Sequence, residues 1–389
     1  MLVQGQKKVP PGMRDWLPGE AFQKRDLINR FLTHFSLWGY QEINTPLLEY
    51  YQTFSDAGKG SELEQIYKLI DRDGQILALR PEMTLPITRV VSSKLSEKYP
   101  QRLMYGGEVF RYEEIQTGRQ REFTQVGVEL LGASGPAADS EVLALAIEAL
   151  TAIGLTDFTI SLGHTGVLKG LLASLNWEET ALYVVRKLIL EKDFVGLKNY
   201  LLAQGMTSAE TVVSLLTEKL IFPQVLNKNL PAGVLEALEE LKQIRDYLKD
   251  YGTAHYLQLD LSTLREQIYY TGMVFEIYTS GIGYPIGGGG RYDRLFDLWG
   301  LDCPATGFAL GVERVLLSLP EIKKSKPEKP YLLVGENAKV IISRARKLRQ
   351  QGKKVITQIG SFTHEEAEEL AKQSEAILVN DEGENSNEI

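Results

Sequence analysis

Residues 104–133 read MYGGEVFRYEEIQTGRQREFTQVGVELLGA. Two apolar, alternating stretches flank the charged segment EIQTGRQRE at 114–122, which predicts a hairpin with a long charged loop rather than a tight two-residue turn. Side chains two apart on a strand point to one face. Arg111 and Glu113 therefore share a face on the outgoing strand, and Phe123, Gln125, Gly127 and Glu129 share one on the return. Directing charge inward from an apolar strand is costly unless it meets a partner. The expectation is that Arg111, Glu113, Gln125 and Glu129 face one cavity; the plainer alternative is a solvated sheet face.

Before the hairpin, residues 22–38 carry helical periodicity, with Leu27, Phe31, Phe35 and Leu37 on one broad face and Gly39 placed to stop the helix. QEINTPLLEY (41–50) is extended and broken at Pro46. ILALRPEMTLP (76–86) is a short apolar strand running into an Arg-Pro-Glu turn, where Glu82 can accept hydrogen bonds from an amine; alone it is an ordinary turn carboxylate.

After the hairpin, 138–153 predicts a helix capped by Asp139 or Ser140, and DFTISL (157–162) a strand. From 164 to about 250 Leu, Ala, Lys and Glu dominate and strand signals fade, which marks a helical insertion. Strand texture returns at HYLQLDL (255–261) and MVFEIYTSG (273–281). Tyr269 and Tyr270 precede the second of these; neighbours in a strand point opposite ways, so at most one of them faces a given site. YPIGGGGRYDRLF (284–296) reads as a glycine run entering a helix, and glycines allow close backbone approach to a ligand. It fits neither G-x-G-x-x-G in a βαβ unit nor a P-loop, so dinucleotide and P-loop readings are excluded. ATGFALGVERVLLSL (305–319) is strand into helix, with Arg314 near the helix start.

LPEIKKSKPEKP (319–330) is a linker. Beyond it strand and helix alternate, a small α/β unit with a parallel sheet, and the acidic end DEGENSNEI reads as a disordered tail. The 389 residues exceed one ordinary core. Hydrophobic residues at 43% and charged residues at 24% describe a soluble globular protein. Net charge of −8 argues against a strongly basic nucleic-acid binder. The single cysteine, Cys303, has no metal-ligand spacing around it, and no secretory signal or membrane-length apolar run is present, so a cytoplasmic protein without metal or cofactor is expected.

None of these segments is decisive alone, but their order resembles the class II aminoacyl-tRNA synthetases and, among them, the histidyl-tRNA synthetase family. PPGMRDWLP (10–18) looks like that family's opening, FRYE with GRQREF like motif 2, LREQIYYTGMVFE (264–276) and GGGGRYDRL (287–295) like its two histidine-specific motifs, and GFALGVER (307–314) like motif 3. The resemblance spans about residues 8–320. It implies an α+β fold: a mostly antiparallel sheet flanked by helices, with a helical insertion and a small truncated α/β C-terminal domain. The expected divisions are synthetase-like core at 1–165 and 253–322, insertion at 166–252, C-terminal domain at 328–380 and tail at 381–389. By the same resemblance Glu82 holds the amino group of histidine with help from Gln125, Glu129 takes one imidazole nitrogen and Tyr270 the other. Thr84, Arg265 and Tyr269 complete the pocket. Arg111, Glu113, Arg119, Phe123 and Arg314 match ATP contacts.

The departures point to one branch. Motif 2 of the synthetases usually places a second arginine where Glu114 stands, which opposes a polyphosphate. RGLDYY has become Arg265 to Tyr270 without the glycine and aspartate, LRPEGT has become LRPEMT, and only about sixty residues follow the linker. The basic stretch SRARKLRQQGKK (343–354) is better read as a solvated helix face than as an RNA contact. This set is similar to the regulatory subunits of ATP phosphoribosyltransferase, which do not aminoacylate. The resemblance implies a partner, the short-form catalytic subunit that condenses ATP with phosphoribosyl pyrophosphate, with histidine as effector. It further implies a self-dimer within a hetero-oligomer and no tRNA. An active histidyl-tRNA synthetase and a histidine sensor with another partner are the alternatives.

Overall fold

The structure, a computed structural model, describes residues 8–57, 60–95, 100–113, 120–173, 179–218, 230–265 and 269–379. The chain divides into two compact units, meeting in sequence at Lys324 and Ser325.

Helix α1 (Pro18–Leu37) begins four residues before the expected start, with Pro18 at a first-turn position where its missing N–H costs nothing. Leu27, Ile28, Phe31 and Phe35 form its buried stripe, each side chain contributing about 1.5–3 kcal/mol on burial. Leu37, expected on that stripe, lies two residues past Phe35 and so on the opposite side, 77% exposed. Gly39 turns the chain away at φ 81°. The chain continues through β1 (Gln41–Glu42), β2 (Leu48–Tyr50), the short helix α2 (Gln52–Ser55), β3 (Lys68–Ile70) and β4 (Ile76–Leu79). Strands β2, β4 and β3 form a small antiparallel sheet. Helix α3 (Thr84–Val90) follows the Arg-Pro-Glu turn. Arg80, 2% exposed, fixes that turn by donating to the carbonyls of Glu108 (2.8 Å) and Thr45 (2.6 Å).

Strands β5 (Gln101–Phe110) and β6 (Glu122–Leu131) are the expected hairpin, in register from Gln101 opposite Leu131 to Phe110 opposite Glu122. Arg111 and Glu113 lie just past the end of β5 rather than on it. Helix α4 (Gly135–Ala152) starts earlier than expected, with Ser134 at its cap position. Neither expected cap serves: Asp139 is buried against Arg291, Oδ1 to Nη2 at 2.8 Å, and the Ser140 hydroxyl donates back to the Pro136 carbonyl.

Next come β7 (Phe158–His164) and five helices: α5 (Thr165–Leu172), α6 (Glu179–Leu190), α7 (Phe194–Ala203), α8 (Ala209–Thr217) and α9 (Ala232–Asp250). Their Leu168, Leu197, Leu215 and Leu238 join one buried cluster with α4 and the sheet, so this stretch shares the core of the first unit. Strands β8 (Leu257–Leu259), β9 (Met273–Thr279), β10 (Gly287–Arg291) and β11 (Ala305–Gly311) and helix α10 (Val312–Ser318) complete it.

The main sheet runs β1-β5-β6-β11-β10-β9-β7-β8. The pairings from β5 to β7 are antiparallel and the two outer ones, β1 with β5 and β7 with β8, are parallel. The glycine run expected to enter a helix is instead β10, and a short 3-10 helix at Asp293–Trp299 follows it. The reason is space: a Cβ on Gly289 would lie 2.0 Å from the Gly307 carbonyl oxygen, and one on Gly287 2.6 Å from that of Ala309.

The second unit is β12 (Tyr331–Gly335), α11 (Ala338–Gln350), β13 (Val355–Ile359), α12 (His364–Gln373) and β14 (Ile377–Val379). Its sheet is parallel in the order β13-β12-β14. Ile341 and Ala345 of α11 are buried, while Arg346, Lys347 and Arg349 are exposed. The acidic tail lies outside the described residues. Among the described residues no helix is long and apolar enough to cross a membrane.

Candidate ligand-binding site

One face of the sheet, where β6, β11 and β10 run side by side, floors two adjoining chambers. The inner one is walled by Glu82, Thr84, Gln125, Glu129, Arg265, Tyr269 and Tyr270, together with Arg111, Tyr105 and Tyr292. These residues come from the Arg-Pro-Glu turn, the hairpin and the segments flanking β9 and β10. The outer chamber, of about 410 Å³, is lined by Arg111, Glu113, Phe123 and Arg314, and shares Arg111, Gln125 and Arg265 with the inner one. The expected single cavity is thus two chambers, with Glu113 in the outer and Glu129 in the inner. Arg119 and Glu114 lie outside the described residues.

Bare backbone makes the floor possible. A Cβ on Gly307 would sit 2.0 Å from Glu129 Oε2, and one on Gly288 2.7 Å from Arg265 Nη1. Glycine at these positions leaves the room that the two charged side chains occupy.

Glu82 is held by the start of α3. Its two oxygens accept from the Leu85 N–H (2.7 Å) and the Thr84 N–H (3.0 Å), where the unpaired N–H groups of a first turn favour negative charge. Tyr269 donates to Glu82 at 3.4 Å. Glu129, 2% exposed, accepts from the Thr84 hydroxyl at 3.0 Å and from the Tyr292 hydroxyl. Burial pushes the Glu129 carboxyl up to about 8, with the nearby Glu82 adding to the rise and the bonds from Tyr292 and Thr84 opposing it. Burial also raises Glu82, against its backbone N–H bonds and the Arg111 charge. Tyr269 and Tyr292 are held well above the ordinary phenol range by burial and the neighbouring carboxyls. A cavity that holds two carboxyls away from water suits a ligand bringing positive charge or N–H donors.

Tyr269 and Tyr270 both face this chamber, which corrects the expectation that only one could. Neither lies in a strand, so the alternation that would separate them does not apply; their rings sit 5.0 Å apart. Tyr270 accepts a hydrogen bond from Arg265, and Arg265 lies 3.5 Å from Glu276. Tyr105 and Tyr292 are wall residues that the sequence did not single out; the Tyr105 hydroxyl donates to the Phe308 carbonyl at 3.4 Å, while Tyr292 bonds Glu129. Tyr292 stands inside GGGGRYDRL directly after β10, and its role depends on β11 placing Glu129 opposite it.

In the outer chamber Arg111 donates to the Pro81 carbonyl at 2.8 Å, lies 3.8 Å from Glu113 and stands over the Phe123 ring at 5.4 Å. Arg314 donates to the Pro285 carbonyl and lies over Tyr284. Its neighbour Glu313 accepts from the Thr124 N–H and pairs with Lys24 at 3.0 Å.

Residues 12–315 match the family model described as histidyl-tRNA synthetase. A protein of Moorella thermoacetica described as an ATP phosphoribosyltransferase regulatory subunit is 40% identical over 366 residues, which cover 92% of this chain and 94% of that one. The solved structure of an ATP phosphoribosyltransferase regulatory subunit/histidyl-tRNA synthetase from Bacillus halodurans superposes with a TM-score of 0.84 at 30% identity, covering 96% of this chain and 97% of that one. Histidyl-tRNA synthetase from Nostoc shares the fold, with a TM-score of 0.78 at 23% identity over 95% of this chain and 90% of that one.

Proposed function

Because the chain belongs to the histidyl-tRNA synthetase family and aligns along nearly its whole length with ATP phosphoribosyltransferase regulatory subunits, we propose that its inner chamber is the histidine-sensing site of such a subunit. The chain works with a separate catalytic subunit in the first step of histidine biosynthesis and itself catalyses neither aminoacylation nor phosphoribosyl transfer.

The observation that carries this reading is that seven side chains from separate segments wall one chamber. Glu82, with Gln125, receives the histidine ammonium. Glu129 and Tyr270 address the two imidazole nitrogens, which an apolar ring of similar size would leave unpaired. Thr84 orients Glu129, and Tyr269 orients Glu82. Each charge-assisted bond adds about 1.5–3 kcal/mol at most, and such contributions do not sum simply. The chamber opens onto the outer one, of about 410 Å³, with which it shares Arg111, Gln125 and Arg265, so a ligand reaches it past those three side chains. Feedback on another subunit requires that histidine binding here be coupled to the partner's active site.

The test is formation of phosphoribosyl-ATP by the short catalytic subunit of the same organism, alone, with this protein, and with added histidine. Activity that depends on the mixture and falls with histidine is expected; no dependence on this protein would overturn the reading. The outer chamber, with Arg111, Glu113, Phe123 and Arg314 all on its wall, favours a second reading as an active synthetase. Histidine-dependent exchange of pyrophosphate into ATP separates the two.

A further inference from the structure

Helix α6 ends at the outer chamber and is tied by hydrogen bonds to a wall residue of the inner one. Ile189, Leu190 and Lys192, at and just beyond its end, line the outer chamber. The Arg186 guanidinium donates to the main-chain carbonyl of Arg265 at 3.1 Å. The Lys192 ammonium donates to the Ser262 hydroxyl at 2.8 Å, and that hydroxyl donates to Asp260 at 2.6 Å. Asp260 in turn accepts from Ser161 on β7 at 3.1 Å. Two cations of one helix end therefore grip the short segment 260–265 at both its ends.

That segment ends in a wall residue of the inner chamber. Arg265 donates to Tyr270, lies 3.5 Å from Glu276 and packs where Gly288 has no side chain. Among the described residues its Nε is buried without a hydrogen-bond partner, so the guanidinium makes fewer bonds there than it can. The backbone of Lys192 is also unusual. Among the described residues it is one of two non-glycine positions with positive φ, at 57°. A lysine there costs about 1 kcal/mol of backbone strain relative to glycine, which surrounding contacts must offset.

We propose that Arg186 and Lys192 are positioning residues that tie occupancy of the inner chamber to helices α6 and α7, so that the insertion carries the ligand signal out of the site. The proposal rests on the histidine reading. Arg265 is a wall residue of the inner chamber, and its main-chain carbonyl is held by Arg186 of α6. Movement of Arg265 and Tyr270 on binding pulls on Arg186. Lys192 keeps the helix end in step through Ser262. The insertion thereby adopts one setting when histidine is bound and another when it is not.

The experiment uses the full chain, with histidine as the probe. Amide hydrogen exchange across residues 179–203 is measured with and without histidine, and histidine affinity is measured by calorimetry. The proteins are the wild type, Arg186→Leu, Arg186→Lys and Lys192→Gly; the glycine keeps the positive φ while removing the ammonium. Exchange in 179–203 is expected to slow on histidine binding in the wild type. Arg186→Leu should weaken binding by about tenfold and abolish that protection while leaving the ligand-free melting temperature close to wild type. Arg186→Lys should restore part of both. Histidine binding with no change in 179–203, or equal affinity in all variants, would overturn the coupling alone. Absence of histidine binding by the wild type would overturn the histidine reading and the coupling with it.

Discussion

The Tyr292 hydroxyl donates to Glu129 across the width of strand β11, and both groups are almost wholly shielded from solvent. This contact and the Thr84 hydroxyl are what hold a carboxyl in a place where ionisation is disfavoured.

The raised Glu129 pKa, about 8 against an ordinary value near 4.5, fixes the sign of a pH effect. Between those values the folded protein holds a proton that the unfolded chain has released. Stability therefore falls as pH rises through that window and levels off above about 8. Glu129→Gln removes this contribution. The stability obtained from urea denaturation should fall from pH 5 to pH 8 by more in the wild type than in the variant, by about a few kcal/mol at most. Equal drops would mean the carboxyl is not perturbed.

Glu82 has two separable roles, since it accepts from the first turn of α3 and faces the chamber. Glu82→Gln retains one acceptor for the turn and loses the charge. The expected cost is about 1 kcal/mol of stability, as for a weakened helix cap. Histidine affinity should fall by tenfold or more, the loss of one charge-assisted bond. Calorimetric titration and thermal denaturation of the same sample measure both.

Gly307→Ala places a methyl group where Glu129 Oε2 lies. Overpacking of this kind costs about 1–3 kcal/mol and displaces the carboxyl. The same methyl would lie 2.4 Å from the Val128 carbonyl oxygen on β6, so histidine binding should be lost together with a fall in melting temperature.

Asp139 and Arg291 are both buried, and Arg291 also reaches Asp293 at 2.9 Å. Asp139→Ala leaves a buried guanidinium short of charge and should cost about 3 kcal/mol in chemical denaturation. Replacing both, as Asp139→Leu with Arg291→Met, should recover part of the loss, since removing a buried pair together is cheaper than breaking it.

The hairpin at 104–133 was legible because ten-residue strands carry enough alternation to fix which side chains share a face. Strand β3, with three exposed residues, carries no such pattern. The glycine run misleads for a physical reason: glycine has low strand preference, and only the closeness of Gly307 and Ala309 on the neighbouring strand makes it the residue that fits there. Glu129 is legible from the alternation of its strand, whereas Glu82 and Tyr270 are legible only through motif resemblance. Local pattern alone placed the two tyrosines on opposite sides, and without a strand to alternate in they share one. Tyr292 escaped notice because its partner is 163 residues away in the chain. Asp139 looked like a helix cap because its counter-charge, Arg291, is 152 residues distant.

Strand β10 gives the inner chamber a floor without side chains, and that makes the floor a one-way surface. Any substitution at Gly288 or Gly307 can only subtract space; none can add it, because nothing there is left to trim. Drift toward a bulkier ligand is therefore closed off from below. It must proceed through the side-chain walls, and shortening Tyr269, Tyr270 or Tyr292 also removes a hydroxyl that bonds Glu82, Arg265 or Glu129. At these tyrosines size selection and polar recognition are thus inherited together, and a lineage cannot relax one there without surrendering the other.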